Sequence, residues 1–220
     1  MAEALTAIPE RRRLWVEFLA FFVTAPVLIA VLLPASAMFP ALFAFTALGL
    51  LLLHITPGFS WAELRWNWRG WDWRELLAFA VFMTLLSVTL IYAMRPSSAF
   101  QLVREQPQLL AFIWIGYPLV SALPQELLFR PLFFRRYRPI LPPGLAGRGL
   151  NAAVFSLAHL MYWSWVVALL TFGGGLIFAW AYRRRGSFFY AVALHAIAGN
   201  ILFAAGMGAY FYSGNVERPF

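Results

Sequence analysis

The chain has 220 residues, of which 62% are hydrophobic and 12% are charged, and its mean hydropathy is +0.73. The polar side chains are too few to cover the surface of a water-soluble globular protein. The composition therefore indicates an integral membrane protein. The net charge is +8 and every basic residue is an arginine in or beside an apolar run, which argues against nucleic-acid binding. The absence of cysteine excludes disulfides and a cysteine nucleophile.

The first apolar run, Trp15–Leu33, follows Arg11–Arg13 and contains one charged residue, Glu17. It is long enough to cross about 30 Å of hydrocarbon as a helix. The rival interpretation is a signal peptide, because Ala35-Ser36-Ala37 resembles a cleavage site. The length of the run and the spans that follow it favour a retained helix.

Six further apolar segments follow, and loops with proline, glycine or charge separate them. They are Pro40–Ile55, Glu75–Met94, Gln108–Phe134, Leu150–Tyr162, Trp165–Tyr182 and Ser187–Ala205. Gly206–Tyr212 is either a frayed end or a short eighth span. The sequence therefore predicts an all-α fold, a polytopic membrane helical bundle of about seven to eight transmembrane helices. Residues 1–220 are expected to form one integral membrane domain, with a motif-bearing core at about 108–205.

The loop arginines predict the orientation of the bundle. If the N-terminus is cytoplasmic, every loop arginine except Arg95, Arg104 and Arg218 lies on the cytoplasmic side. This distribution obeys the positive-inside rule. We expect a protein of the bacterial inner membrane, with the lipid bilayer as a partner and its N-terminus in the cytoplasm.

Two features are expected at the membrane interface or in helix packing. The loop Trp61–Trp73 carries five tryptophans, with Trp66, Asn67, Trp68 and Arg69 alternating between aromatic and polar. An interfacial belt, with His54 beside it, is the simpler interpretation, and a substrate-docking surface is the alternative. Gly173-Gly174-Gly175 predicts close helix packing, with a kink that admits substrate as the alternative.

Ionisable side chains inside the apolar segments are the candidate functional residues. A charged group near the bilayer centre costs at least about 2.5–3.5 kcal/mol, so each one calls for an explanation. Glu126 and Arg130 are four residues apart and can pair on one helical face, although such a pair can be purely structural. His159 and His195 each lie in a separate apolar helix. A shared cluster of Glu126, His159 and His195 is the most economical interpretation.

This set of side chains suits hydrolysis. A desolvated glutamate can accept a proton from water, while imidazole and amide groups hold the water or an oxyanion. We expect no cofactor, but Glu126, His159 and His195 are also a possible zinc ligand set with one open position. The sequence has no His-Glu-x-x-His motif, and Asp72 is its single aspartate, which excludes a zincin helix and an aspartyl dyad.

Three motifs in order resemble those of the CPBP family, which comprises CAAX proteases and bacteriocin-processing enzymes. The family patterns are Glu-Glu-x-x-x-Arg, Phe-x-x-x-His and His-x-x-x-Asn/Asp. The matching residues run from Gln125 to Arg130, from Phe155 to His159, and on from His195, preceded by Arg185-Gly186-Ser187. The resemblance covers about Tyr117 to Phe203 and implies a glutamate-dependent intramembrane endopeptidase.

By that resemblance, Glu126 and His159 would activate water, His195 and an asparagine would hold the oxyanion, and Arg130 would fix the carboxylate. Gln125 stands where the pattern has its first glutamate. Either Glu126 has taken over that role, or the site is inactive, by nature or through an introduced Glu→Gln change. Asn200 lies five residues after His195 instead of four, which a π-bulge at Gly199 would correct.

The predicted function is therefore hydrolysis of a peptide bond in a membrane-associated or lipid-modified protein or peptide. Two alternatives belong to other classes. One is a non-catalytic relative that binds or scaffolds membrane peptides, and the other is a small proton-coupled transporter. The sequence gives no indication of the oligomeric state.

Overall fold

The computed structural model describes residues 2–65, 68, 70–216 and 218, and side chains are not described at 2–9, 35, 38, 39 and 213. This part of the chain is built from helices and contains no strand. The helix α1 comprises Ala2–Leu19, a π-helical stretch Ala20–Thr24, and Ala25–Leu32. The others are α2 Met38–His54, α3 Trp73–Met94, α4 Gln101–Glu105, α5 Pro107–Arg136, α6 Gly144–Leu157, α7 Trp165–Arg185 and α8 Phe188–Ala205.

Local sequence signals explain where the long helices begin and end. Asp72, Ser164 and Ser187 precede α3, α7 and α8, and each side chain accepts a hydrogen bond from a backbone N–H of the first turn. Gly186 and Gly206 follow α7 and α8 with φ of 63° and 100°. This left-handed conformation ends a helix and favours glycine.

Five helices are long and apolar enough to span a membrane, which confirms the polytopic all-α fold. They are Glu10–Leu32, Trp73–Met94, Pro107–Arg136, Trp165–Arg185 and Phe188–Ala205. The segment Pro40–His54 is apolar but shorter. The count of seven to eight spans is not reached in the described part of the chain.

Two predicted spans differ from the structure. The segment Leu150–Tyr162 is covered by α6, which has 14 residues, and by a short 3-10 turn, Leu160–Tyr162. Fourteen residues extend about 21 Å as a helix, less than the hydrocarbon thickness of about 30 Å. Gly206–Tyr212 contains a single 3-10 turn, Met207–Tyr210, so no eighth span forms there. In both segments the helix or turn ends before the apolar run does.

The N-terminal helix packs into the same hydrophobic core as the motif-bearing helices. Phe18 and Phe22 of α1 meet Phe133 of α5 edge-on, with ring centroids 5.8 and 5.5 Å apart. Glu17, the acidic residue within the apolar run Trp15–Leu33, pairs with Arg136 and accepts a hydrogen bond of 2.8 Å from the Tyr137 hydroxyl. A carboxylate with these partners is tolerated in an apolar helix.

The arginine-rich loops gather at one end of the bundle and are joined there by ion pairs. Arg135 pairs with Glu63 of the tryptophan-rich loop, and Arg185 at the end of α7 pairs with Glu75 of α3. In that loop Trp61, Trp68 and Trp73 are exposed, as an interfacial belt requires. His54 is also exposed and accepts a hydrogen bond of 3.2 Å from Trp61. Trp66, Asn67 and Arg69 lie outside the described residues.

The glycine run of α7 allows a close helix contact at one position, Gly175. A Cβ placed there would lie 2.9 Å from Ala152 Cα of α6, whereas a Cβ at Gly173 would meet nothing within 4 Å. The helix α7 continues through the run without interruption. The packing interpretation therefore holds at Gly175.

Replacement of Gly175 by alanine is expected to lower the free energy of unfolding by about 1–3 kcal/mol, because the added methyl group forces α6 and α7 apart. Thermal unfolding of the purified protein in detergent measures the effect. Gly173→Ala is the matched control, and it should leave the midpoint unchanged or slightly raised. Equal midpoints for the two variants would show that α6 does not approach α7 as described.

Candidate active site

Helix α5 contains two π-helical stretches, Pro118–Ala122 and Leu128–Arg136, and the first motif begins between them and ends in the second. Prolines 118 and 131 lie in these stretches. A proline inside a helix removes one backbone hydrogen bond and crowds the preceding turn, and this favours local departures from α geometry. Gln125 and Glu126 lie on the α-helical turn between the stretches. Adjacent helical residues point about 100° apart, so the two side chains face different surroundings.

Glu126 and Arg130 form a fully buried ion pair. The Arg130 Nε donates to Glu126 Oε2 at 2.7 Å and its Nη2 donates to Glu126 Oε1 at 3.1 Å, and neither side chain is exposed. The remaining guanidinium nitrogen donates to the Asn151 Oδ1 of α6. Asn151 in turn donates to the backbone carbonyl of Phe129 at 2.7 Å. All polar groups of the pair are thus satisfied without water, as burial requires.

His195 of α8 completes the set of partners around the carboxylate. Its Nδ1 lies 2.9 Å from Glu126 Oε1. Because the ion-paired carboxylate is an acceptor, Nδ1 donates this hydrogen bond, and in the neutral imidazole Nε2 then keeps its lone pair. The ring stacks on Phe178 of α7, with centroids 4.8 Å apart and an interplanar angle of 15°. The imidazole is therefore fixed in both orientation and tautomer.

His159 lies directly after α6, at the point where the helix gives way to a 3-10 turn. Its Nδ1 is 2.8 Å from the backbone carbonyl of Phe155, one turn earlier. A carbonyl oxygen only accepts, so Nδ1 donates and Nε2 again keeps its lone pair. The rings of Phe155 and Tyr162 flank this imidazole.

Gln125 is buried but points away from the ion pair. Its amide nitrogen donates to the Ser121 hydroxyl at 2.9 Å. Its Oε1 is buried and has no hydrogen-bond partner in the described part of the chain. A buried oxygen without a partner is costly, so Gln125 is the polar group of this helix whose hydrogen bonding is incomplete.

A cavity of about 610 Å³ lies between the helices that carry the three motifs, and its lining is mainly apolar. Gln125, His159 and His195 line it, together with Tyr117, whereas Glu126 does not. The structure thus brings the three motifs together but places Glu126 behind His195. This arrangement differs from the expectation that Glu126 itself acts on water.

Asn200 is the predicted site residue that the structure does not bring into the cluster. Its amide donates to the Trp114 carbonyl at 3.2 Å, and the Trp114 indole donates to the Asn200 carbonyl at 3.1 Å. Helix α8 is α-helical through Gly199, so the π-bulge that would turn Asn200 toward His195 does not form. A Cβ at Gly199 would overlap the Tyr117 ring, and glycine is needed there for the close approach of α5.

The residues of the possible zinc set do not fit a three-ligand metal site. Both oxygens of Glu126 accept hydrogen bonds from Arg130 or His195, and the carboxylate has no face on the cavity. Within residues 2–65, 68, 70–216 and 218, no group of three His, Asp or Glu side chains is placed to hold a metal.

Two residues of the site were missing from the sequence prediction. Asn151 is fully buried and links Arg130 to the backbone of α5, and Tyr117 lines the cavity edge-on to His195. An amide within the apolar run of α6 is the same kind of signal as His159, and it could have identified Asn151. Tyrosine is common in apolar helices, so nothing in the sequence distinguishes Tyr117.

The comparison with known families is consistent with this geometry. Residues 107–201 match the sequence model of the family described as Rce1-like, Type II CAAX prenyl endopeptidase. No curated protein and no solved structure matches the chain. The matched segment begins with α5, includes α6 and α7, and ends in α8 after His195. It therefore contains all the helices that form the cluster, and over this segment the chain is similar to the CAAX proteases of the CPBP family.

Proposed function

We propose that the protein is an intramembrane endopeptidase that hydrolyses a peptide bond in a membrane-associated or lipid-modified protein. The family model that residues 107–201 match describes a Type II CAAX prenyl endopeptidase, which supports this class of activity. The observation that carries the proposal is the convergence of two imidazoles and the Gln125 side chain on a single apolar cavity. We place the protein in the bacterial inner membrane, with its N-terminus in the cytoplasm.

In this proposal the Glu126–His195 pair is the general base. A water molecule in the cavity is held in place by the Gln125 amide group, donates one hydrogen bond to His159 Nε2 and gives its other proton to His195 Nε2. The hydroxide that forms attacks the carbonyl carbon of the peptide bond. The buried carboxylate holds the imidazole in the required tautomer and stabilises the imidazolium that forms, as the acidic member of a catalytic triad does. The protonated imidazole then returns the proton to the leaving amine.

The developing oxyanion needs a donor, and Tyr117 is the residue best suited to supply it. Its ring lies edge-on to His195 at 5.9 Å between centroids and lines the same cavity. A phenol O–H donates in a site from which water is largely excluded, where such a bond stabilises charge most effectively. Arg130 and Asn151 act through Glu126 and do not touch the substrate.

A second candidate function is peptide binding without cleavage, and Gln125 is the observation that favours it. An amide at the cavity binds water or a peptide N–H but takes up no proton. In this second function the protein has the same fold and binds membrane peptides in the same cavity, but it does not cleave them.

The proposal is tested by reconstituting the protein in liposomes with transmembrane and lipidated peptides and following new termini by mass spectrometry. His195→Gln and His159→Gln are expected to slow cleavage at least about 100-fold, because each removes a basic nitrogen from the cavity. His54→Gln is the matched control, since His54 is exposed and bonded to Trp61. Cleavage by His195→Gln at the unmodified rate would refute the assigned base. Tight peptide binding without cleavage would favour the second function.

A further inference from the structure

A second cavity, of about 480 Å³, lies at the arginine-rich end of the bundle. It is bounded by the loop after α5, the start of α6 and the end of α7. Four arginines line it: Arg138, Arg148, Arg183 and Arg184. No described carboxylate forms an ion pair with any of the four.

The absence of acidic partners distinguishes these arginines from three others at the same end. Arg135, Arg136 and Arg185 each pair with a glutamate. The end of α7 attracts cations through its terminal carbonyl groups, which accounts for Arg183 and Arg184. Arg138 and Arg148 belong to other elements, so the helix end does not explain why all four converge on one cavity.

The start of α6 adds neutral donors to the same cavity. Pro143 precedes the helix without capping it, and Gly144 and Gly147 line the cavity. The first backbone N–H groups of a helix have no partner within it, and they point toward whatever lies before its N-terminus. In an anion site of this kind the arginines supply positive charge, and the backbone N–H groups supply oriented hydrogen-bond donors.

The lining also contains apolar groups, including Phe134, Leu141 and Pro142, and the Arg183 guanidinium lies 5.4 Å from the centre of the Phe134 ring. An anion bound here thus meets a charged wall and an apolar wall at the end of a membrane-spanning helix. Guanidinium groups bind phosphate oxygens in pairs and favour them over small hydrated anions. Basic pockets of this kind between membrane helices suit lipid headgroups.

We propose that this cavity binds a phosphate group, and that an anionic phospholipid headgroup supplies it. The site is separate from the cavity that contains His159 and His195, and the proposal does not depend on the function assigned there. The loop after α5, the start of α6 and the end of α7 carry four like charges that repel one another. A bound phosphate reduces this repulsion. Bound lipid is therefore expected to stabilise the fold.

The test compares thermal unfolding of the purified full-length protein in neutral detergent after addition of phosphatidylglycerol, phosphatidylcholine or sodium phosphate. Phosphatidylglycerol is expected to raise the midpoint by about 5 °C in a saturable way, and phosphatidylcholine is not. The double variant Arg148→Gln/Arg184→Gln should lose this rise. The double variant Arg12→Gln/Arg95→Gln removes the same charge at exposed positions elsewhere and should keep it.

The outcomes separate the two sources of phosphate. A rise with phosphatidylglycerol alone supports a lipid headgroup, and an equal rise with sodium phosphate supports a phosphate site that soluble anions fill. An equal effect of phosphatidylglycerol and phosphatidylcholine would overturn the proposal. Retention of the full rise in the Arg148→Gln/Arg184→Gln variant would also overturn it.

Discussion

Replacement of Arg130 by methionine is expected to lower the free energy of unfolding by about 3–5 kcal/mol. Arg130 is fully buried and donates to both oxygens of Glu126, so its loss leaves a carboxylate without a counter-charge in an apolar interior. Asn151 loses a donor at the same time. The unfolding midpoint of the purified protein measures the effect, and a fall of about 10 °C or more is expected.

Two further variants show whether the charge or the volume of Arg130 is responsible. Arg95→Met removes an exposed arginine and should change stability by about 0.5 kcal/mol or less. The double variant Glu126→Gln/Arg130→Met removes both charges and should recover part of the loss, because no unpaired charge stays buried. If the double variant were less stable than Arg130→Met alone, the assigned electrostatic cause would be wrong.

Replacement of Gln125 by glutamate is expected to raise the rate of peptide hydrolysis by about 100-fold. The two side chains have nearly the same shape, but a carboxylate at position 125 adds a proton acceptor to the cavity that His159 also lines. A correctly placed general base contributes about 10²–10⁴-fold to such a reaction. The measurement is the initial rate of cleavage of one membrane peptide in liposomes, with unmodified protein and variant at equal concentration.

The control for this variant makes the same chemical change on the same helix. Gln108 lies on the exposed first turn of α5, and Gln108→Glu should leave the rate unchanged. The Km for the peptide should change little in Gln125→Glu, because the amide and the carboxylate bind the same cavity water. A variant no faster than the unmodified protein would mean that position 125 does not act on the water.

The three helices that meet at the site could be predicted from the sequence because charge in an apolar segment requires a partner. Glu126, His159 and His195 are ionisable groups on separate helices, and the cost of leaving each one unpaired is several kcal/mol. In the structure Glu126 and His195 are in direct contact, and both imidazoles reach one cavity. The same argument applies to the buried amide of Asn151, which also lies in an apolar helix.

The side chain that faces the cavity could not be predicted from the sequence. Gln125 and Glu126 are neighbours, and helical periodicity alone leaves open which of them points toward α6 and α8 and which toward the space between the helices. The π-helical stretches on either side of them also change the rotation of the helix. The position of Glu126 behind His195 therefore depends on tertiary packing.

Helix length was the other point at which the sequence was insufficient. The apolar run Leu150–Tyr162 has the composition of a span, but α6 ends at Leu157 and His159 lies in the turn that follows. That ending gives His159 its position, because its Nδ1 reaches back to the Phe155 carbonyl. Hydropathy measures the cost of leaving water and does not distinguish a membrane span from a short buried helix.

Cleavage of a membrane peptide in water enriched in ¹⁸O tests the account most directly. If the cavity that contains Gln125, His159 and His195 hydrolyses peptides, the unmodified protein will place one ¹⁸O atom in the new C-terminal carboxylate of the product, and His195→Gln will yield almost no product. Mass spectrometry of the product measures both. A peptide that binds the protein but is recovered intact and unlabelled, also with the Gln125→Glu variant, would contradict the proposed hydrolysis.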